Sequence, residues 1–224
     1  ATAYSSGEVC GLHLQTIKEV MLQEGLVRNL RDGEWSEVFA SNARPWHMRG
    51  KELLKKLKTQ KRLVLSRAEL TRAPSTDADW CDEALASHSR ESLTGIIVTK
   101  CVAAGYASHS AVASVEELAG APWWSQRSCS LRLKRTLVDY LAALRLVLRH
   151  ANSIMFIDPH LDPCEARYSD FISLVKAAGC RIPAPLIEIH RVGYRGSGLS
   201  RQVLRDSDLV DLQAEFRRAL SVPL

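Results

Sequence analysis

The stretch SIMFIDPHLDP, residues 153–163, decides how this chain is read. Its apolar run, Ile154-Met155-Phe156-Ile157, is too short for a helix and rich in β-formers, so it predicts a buried strand. Two Asp-Pro steps then force the chain out of that strand into a turn. Asp158 and His160 crowd the carboxyl end of the strand, where open α/β sheets hold their ligands. The same residues also suit a plain turn, because an aspartate side chain accepts from backbone N–H groups a residue or two further on.

Downstream, the pattern continues as helix and strand. YSDFISLVKAAG (168–179) is an amphipathic helix with Tyr168, Phe171, Leu174 and Val175 inward and Gly179 as its stop. APLIEIHRV (184–192) is a second strand, parallel to the first because a helix crossover joins them. Alternation puts Glu188 and His190 on one face and Ile187 and Ile189 on the other. If the strands are neighbours, Asp158, Glu188 and His190 converge at one sheet edge and are the candidate catalytic residues. The order Asp…Glu-x-His is also a weak form of a metal-dependent nuclease pattern, Asp…Glu-x-Lys, with His190 where Lys would stand. The glycine-rich loop that follows carries Arg191, Arg195 and Arg201, whose forked donors suit phosphate, although a solvated loop explains the same residues. It matches neither a nucleoside-triphosphate loop nor a dinucleotide fingerprint. DLVDLQAEFRRAL (208–220) is a last amphipathic helix.

The first half reads as mainly helical. Helices are expected over 8–30 and 49–65, the latter with Leu53, Leu54, Leu57 and Val64 inward, and over a shorter segment near 77–88. A strand is expected at 96–99, a capping box at 114–117 and a long helix over 130–150 with Leu137, Leu141, Leu144 and Leu148 on one face. Between residues 44 and 72 there are ten Lys and Arg against only Glu52 and Glu69. Lys51, Lys55, Lys58 and Arg62 on this basic helix are candidates for contact with nucleic-acid phosphates, while a simply wet, solubilising face is the plainer explanation. Trp123 and Trp124 are expected in the core or at an interface rather than as a base-stacking platform.

The net charge of +5 and pI near 9.0 agree with a polyanionic partner. With 46% hydrophobic and 25% charged residues the chain has the composition of an ordinary globular protein. It offers no apolar run long enough to span a bilayer. Its first residues lack the basic start and apolar block of a signal peptide and lack Met, so they read as a processed or engineered end. The six cysteines show no CxxC and no zinc spacing, and are expected as reduced, mostly buried thiols. A cytoplasmic location follows, with no metal and no cofactor expected.

The block from 153 to about 192 resembles part of a phospholipase D-like module, of the divergent bacterial kind often encoded among defence or mobile-element genes. The resemblance rests on IMFIDPH, YSDFISLVKAAG and PLIEIHR, with His160 at a position that is aromatic in that family. It covers under a fifth of the chain. Enzymes of this superfamily use a His-x-Lys motif, whose histidine attacks phosphorus without a metal, and two such motifs converge across a duplicated chain or a homodimer. That motif is absent here: His190 is followed two residues later by Val192, and the His-x-basic pair His47-Met48-Arg49 begins the basic helix, with arginine rather than lysine. Either the motif lies beyond Leu224 in a longer protein, or the module keeps the fold and has lost the reaction.

The expected fold class is therefore α/β, a mixed or parallel sheet with flanking helices and a helical N-terminal half. The expected division is a basic, mainly helical region over 1–125 and a phospholipase D-like region over 126–224, or one continuous domain. The leading function is a phosphodiester-handling protein, a nuclease or nuclease relative acting on or binding nucleic acid. The alternatives are a non-catalytic protein-binding or assembly module, as a homodimer or with a protein partner, and a metal-dependent nuclease.

Overall fold

Threonine caps start three of the helices of this chain, at Thr76, Thr99 and Thr136, and the strands between helices pair mostly in parallel. The computed structural model describes residues 7–41, 48–128, 130–179, 183–195 and 198–220. It divides into two units, Ala1–Ser130 and Leu131–Leu224. The fold is a helix-rich α/β architecture with parallel strands flanked by helices. Among the described residues, no helix is long and apolar enough to cross a membrane.

The first unit begins with α1 (Gly7–Gln23), β1 (Val27–Asn29), α2 (Glu34–Ser41), α3 (Met48–Thr59) and β2 (Leu63–Leu65). β1 and β2 pair in parallel, Val27 with Leu63 and Asn29 with Leu65. The helix expected over 49–65 therefore stops at Thr59. Lys61 takes a left-handed φ of 56°, and the amide of Arg62 donates back to the Leu57 carbonyl at 2.8 Å, the closing bond of a helix C-cap that usually employs glycine. Val64, expected on the helix's inner side, lies in the strand. Leu14 of α1 and Leu53 and Leu57 of α3 bury their side chains together over this pair.

α4 (Asp77–Arg90) opens with a full capping box: the Thr76 hydroxyl accepts from the Asp79 amide, and the Asp79 carboxylate accepts from the Thr76 amide at 2.8 Å. β3 (Ile96–Val98), α5 (Lys100–Ala104), β4 (Val112–Ser114), a 3₁₀ turn and α6 (Pro122–Ser125) complete the unit. β3 and β4 are parallel and covered on both faces. Ile96, Val98 and Val112 meet the α4 side, while Ile97 and Ala113 meet Ile17, Leu118 and Trp123. A Cβ on Gly95 would come within 2.4 Å of the Trp123 ring, so this position accepts only glycine. The two neighbouring tryptophans sit edge to face at 6.2 Å, partly buried.

The second unit runs α7 (Leu137–His150), β5 (Ser153–Ile157), α8 (Ser169–Gly179), β6 (Leu186–His190), β7 (Tyr194–Arg195), β8 (Gln202–Val203) and α9 (Asp206–Leu220). Thr136 caps α7, so the helix expected from residue 130 starts later, after an extended basic segment. β5 and β6 are parallel and in register from Ser153–Leu186 to Ile157–His190. Ile154, Phe156, Ile187 and Ile189 face the helices, where Phe156 meets Phe171 edge to face at 4.9 Å and Val175, Leu212 and Phe216 complete the core. Burial of each large apolar side chain here contributes roughly 1.5–3 kcal/mol. The apolar run of β5 is not buried on both sides, however: Met155 and Ile157 point away from the helices, and Ile157 is 75% exposed. The glycine-rich segment is a short hairpin as well as a loop, since β7 and β8 pair antiparallel.

Candidate functional site

Two places carry the residues expected to act, one in each unit. In the first, α3 turns its leucines toward α1 and leaves its lysines outward. Lys51, Lys55 and Lys58 stand at i, i+4 and i+7, one stripe of a helix surface. Lys55, Lys58 and Lys61 are exposed and Lys51 is half-buried. Lys56 pairs with Glu52 at 2.9 Å, which holds that carboxyl below its ordinary range. Arg62 does not belong with them: its guanidinium donates to the carbonyls of Gln23 (2.9 Å) and Gly25 (3.1 Å), tying down the end of α1. Trp46 and His47 lie outside the described residues, as does the His47 end of the His-x-basic pair.

In the second unit the strand ends divide the expected catalytic set. Glu188 and His190 share the outer face of β6, with Glu188 Oε2 3.5 Å from His190 Nε2 and the imidazole 57% exposed. A carboxylate beside one ring nitrogen orients the imidazole and leaves the other nitrogen to take or give a proton. Asp158 is elsewhere. Its amide donates to the His190 carbonyl, but its carboxylate accepts from the His160 amide at 2.8 Å and lies 3.5 Å from the Tyr168 hydroxyl. Tyr168 packs against the helix-side core, so Asp158 faces the side of Phe156, opposite Glu188 and His190. Burial, together with the Asp158 charge, raises the Tyr168 phenol above its ordinary value. Asp158 thus forms the turn foreseen as the plainer alternative, and Asp162 does the same for the Cys164 amide at 2.9 Å.

The arginines after β6 are also separated. Arg191 donates to the carbonyls of Leu161 (2.6 Å), Tyr194 (3.1 Å) and Val192 (3.4 Å), so its fork is filled by backbone rather than held open for phosphate. Arg201 lies over the Tyr194 ring at 4.1 Å. Arg195 occupies the last position of β7. Asp162, Cys164 and Glu215 bring three ligand atoms within 4.8 Å of one another, a grouping the sequence did not indicate. Of the cysteines, Cys81 is buried, and that burial pushes its thiol up to about 11. Cys101 and Cys164 are free and exposed, so two of the three described thiols lie outside the buried set expected. The side chains of Cys10, Cys129 and Cys180 lie outside the described part.

Sequence inspection also missed a polar core at the carboxyl ends of β1 and β2. Glu83 of α4 is fully buried and accepts from the amides of Glu69 (2.7 Å) and Leu70 (3.2 Å) and from Arg31 Nη1 (3.3 Å). One turn on, the buried Ser87 receives Arg28 Nη1 at 2.9 Å and meets the Ser66 hydroxyl at 3.1 Å. Arg90 then binds Glu69 and Ser66, and its donation holds the Glu69 carboxyl below its ordinary range. Arg31 and Asp32 both take left-handed φ values, 53° and 54°, beside these contacts. The only sequence signal was the i, i+4, i+7 spacing of Glu83, Ser87 and Arg90 on one helix face. No family model, no curated protein and no solved structure matches this chain.

Proposed function

We propose that this chain handles nucleic acid, as a nuclease or nuclease relative of the cytoplasm, and that it grips the phosphate backbone through α3. The observation that carries this reading is the outward stripe of Lys51, Lys55 and Lys58, continued by exposed Lys61, on a helix whose other side is committed to α1. Several ammonium groups along one stripe neutralise successive phosphates and read no base. The described part of that face presents no aromatic ring, which favours sequence-independent contact over stacking.

Any cleavage would rest on His190, the exposed imidazole at the end of β6 with the Glu188 carboxylate 3.5 Å away. The phospholipase D-like reading supports a metal-free route through such a histidine. The separation of Asp158 from Glu188 weakens the alternative in which those two carboxylates share a metal.

The test is incubation of the purified protein with labelled single- and double-stranded DNA and RNA, with magnesium and with chelator, read for retardation and for cleavage. Retardation that is lost in the K51A/K55A/K58A variant supports the binding reading. Cleavage that persists in chelator and is lost in His190→Ala supports the metal-free route, and cleavage abolished by chelator supports a metal-dependent one. Full-strength retardation by the triple variant, or no retardation at all, sinks the proposal and turns attention to a protein partner.

A further inference from the structure

Helix α7 is apolar on two sides. Leu137, Leu141, Leu144 and Leu148 pack toward α8, yet Val138, Ala142 and Leu146, spaced i, i+4 and i+8 on the outer side, are exposed, Val138 at 75%. Exposed apolar side chains on a helix whose inner side is already packed mark a surface for a further contact. The exposed cations Arg132, Lys134 and Arg135 lead into its amino end, where the helix macrodipole disfavours positive charge, so they do nothing for the helix itself. The amino half of α9 is the complement: Leu209 and Val210 are exposed, Val210 at 65%, beside the exposed carboxylates Asp206 and Asp211.

From this pairing of an apolar, basic face with an apolar, acidic one we infer that the second unit self-associates, α7 of one copy lying along α9 of another. Within one copy the two faces are held apart, because α8 packs against both helices, Leu174 and Ala178 meeting α7 and Val175 meeting α9. The opposite charges of these two faces, borne by the same chain, make a second copy the occupant. Basic and acidic groups both lie at amino ends, so the two helices align in the same sense. A two-fold axis repeats the contact, α9 of the first copy receiving α7 of the second. The repeat doubles the contact of a single helix pair, toward the about 1,200 Å² that specific interfaces bury.

Sedimentation velocity of the full chain over a wide concentration range tests this, with two surface variants, R132E/R135E and D206K/D211K. The expected result is a dimer at micromolar concentration whose dissociation constant rises about tenfold or more in each variant. An equimolar mixture of the two variants then restores a heterodimer, because the reversed charges of one face the reversed charges of the other. Circular dichroism confirms that both variants keep their helices, so loss of dimer is not loss of fold. A parent chain monomeric at every concentration overturns the inference. Variants that dimerise as tightly as the parent, or a mixture that restores nothing, also overturn it.

Discussion

Replacing Glu83 with alanine removes the carboxylate on which three elements of the first unit converge. In the native chain its two oxygens, both out of solvent, accept from the amides of Glu69 and Leu70 and from the Arg31 guanidinium. Arg31 keeps Glu34 at 2.8 Å and the Leu70 carbonyl at 2.8 Å, so it is not stranded as a bare buried charge. The loss falls on the two amides, each left without an acceptor at a cost of about 1–3 kcal/mol. Breaking a buried pair costs about 3–5 kcal/mol in general, and the expected destabilisation lies in the lower part of that range. Glu83→Gln separates size from charge: its one carbonyl oxygen can serve the Glu69 amide, while its NH₂ opposes the Leu70 donor, which gives a smaller loss. All five tryptophans fall between residues 35 and 124, so fluorescence during urea unfolding reports on the first unit. With a urea slope of about 1–3 kcal/mol per molar, the midpoint should fall by about 1 M or more. A Glu83→Ala midpoint within the error of the parent would refute the claim that this carboxylate organises the strand ends.

Three further outcomes follow from the same contacts. Lys61→Gly relieves a left-handed backbone at the end of α3 and should stabilise the first unit by about 0.5–1 kcal/mol, the left-handed penalty less the unfolded-state entropy of glycine; the same urea titration reads it. Arg191→Ala leaves the Leu161 carbonyl without its donor and should cost the second unit about 1–3 kcal/mol. Amide exchange would show that loss around β5 and β6, with nucleic-acid affinity unchanged. Asp79 is held well below the ordinary carboxylate range by the Ser75 and Thr76 amides and the Ser75 hydroxyl. A depressed folded value contributes stability above the unfolded value of about 4 and loses it as pH falls below that. Asp79→Asn should therefore lower stability at neutral pH and flatten its decline in acid.

Period and punctuation made the second unit readable before its structure. The strand–helix–strand pattern from 153 to 190 needs only a short apolar run, an amphipathic helix with a glycine stop and strict alternation around Glu188 and His190. Alternation also placed Glu188 and His190 together. It would have warned that Asp158, in step with Ile154 and Phe156, faces the other way. Other features were hidden because their causes lie far apart in sequence. Nothing in KTQKRLVL marks a helix stop, since the left-handed residue is a lysine and the leucines continue a helical spacing. Arg62 and Arg191 look like phosphate ligands by residue type, but carbonyls from 37 and 30 residues away fill their forks. Glu83 sits in a segment that reads as a solvated helix, and only Arg31 and the amides at 69 and 70 make its burial tolerable.

The central claim, backbone contact through α3, is tested most directly by the salt dependence of binding to a duplex of arbitrary sequence. Three or four neutralised phosphates predict that log K falls against log salt with a slope of about −3, and that removing Lys51, Lys55 and Lys58 flattens that slope to about −1 or less. A slope that is already flat in the parent, or one that the triple substitution leaves unchanged, would contradict the account and detach α3 from nucleic acid.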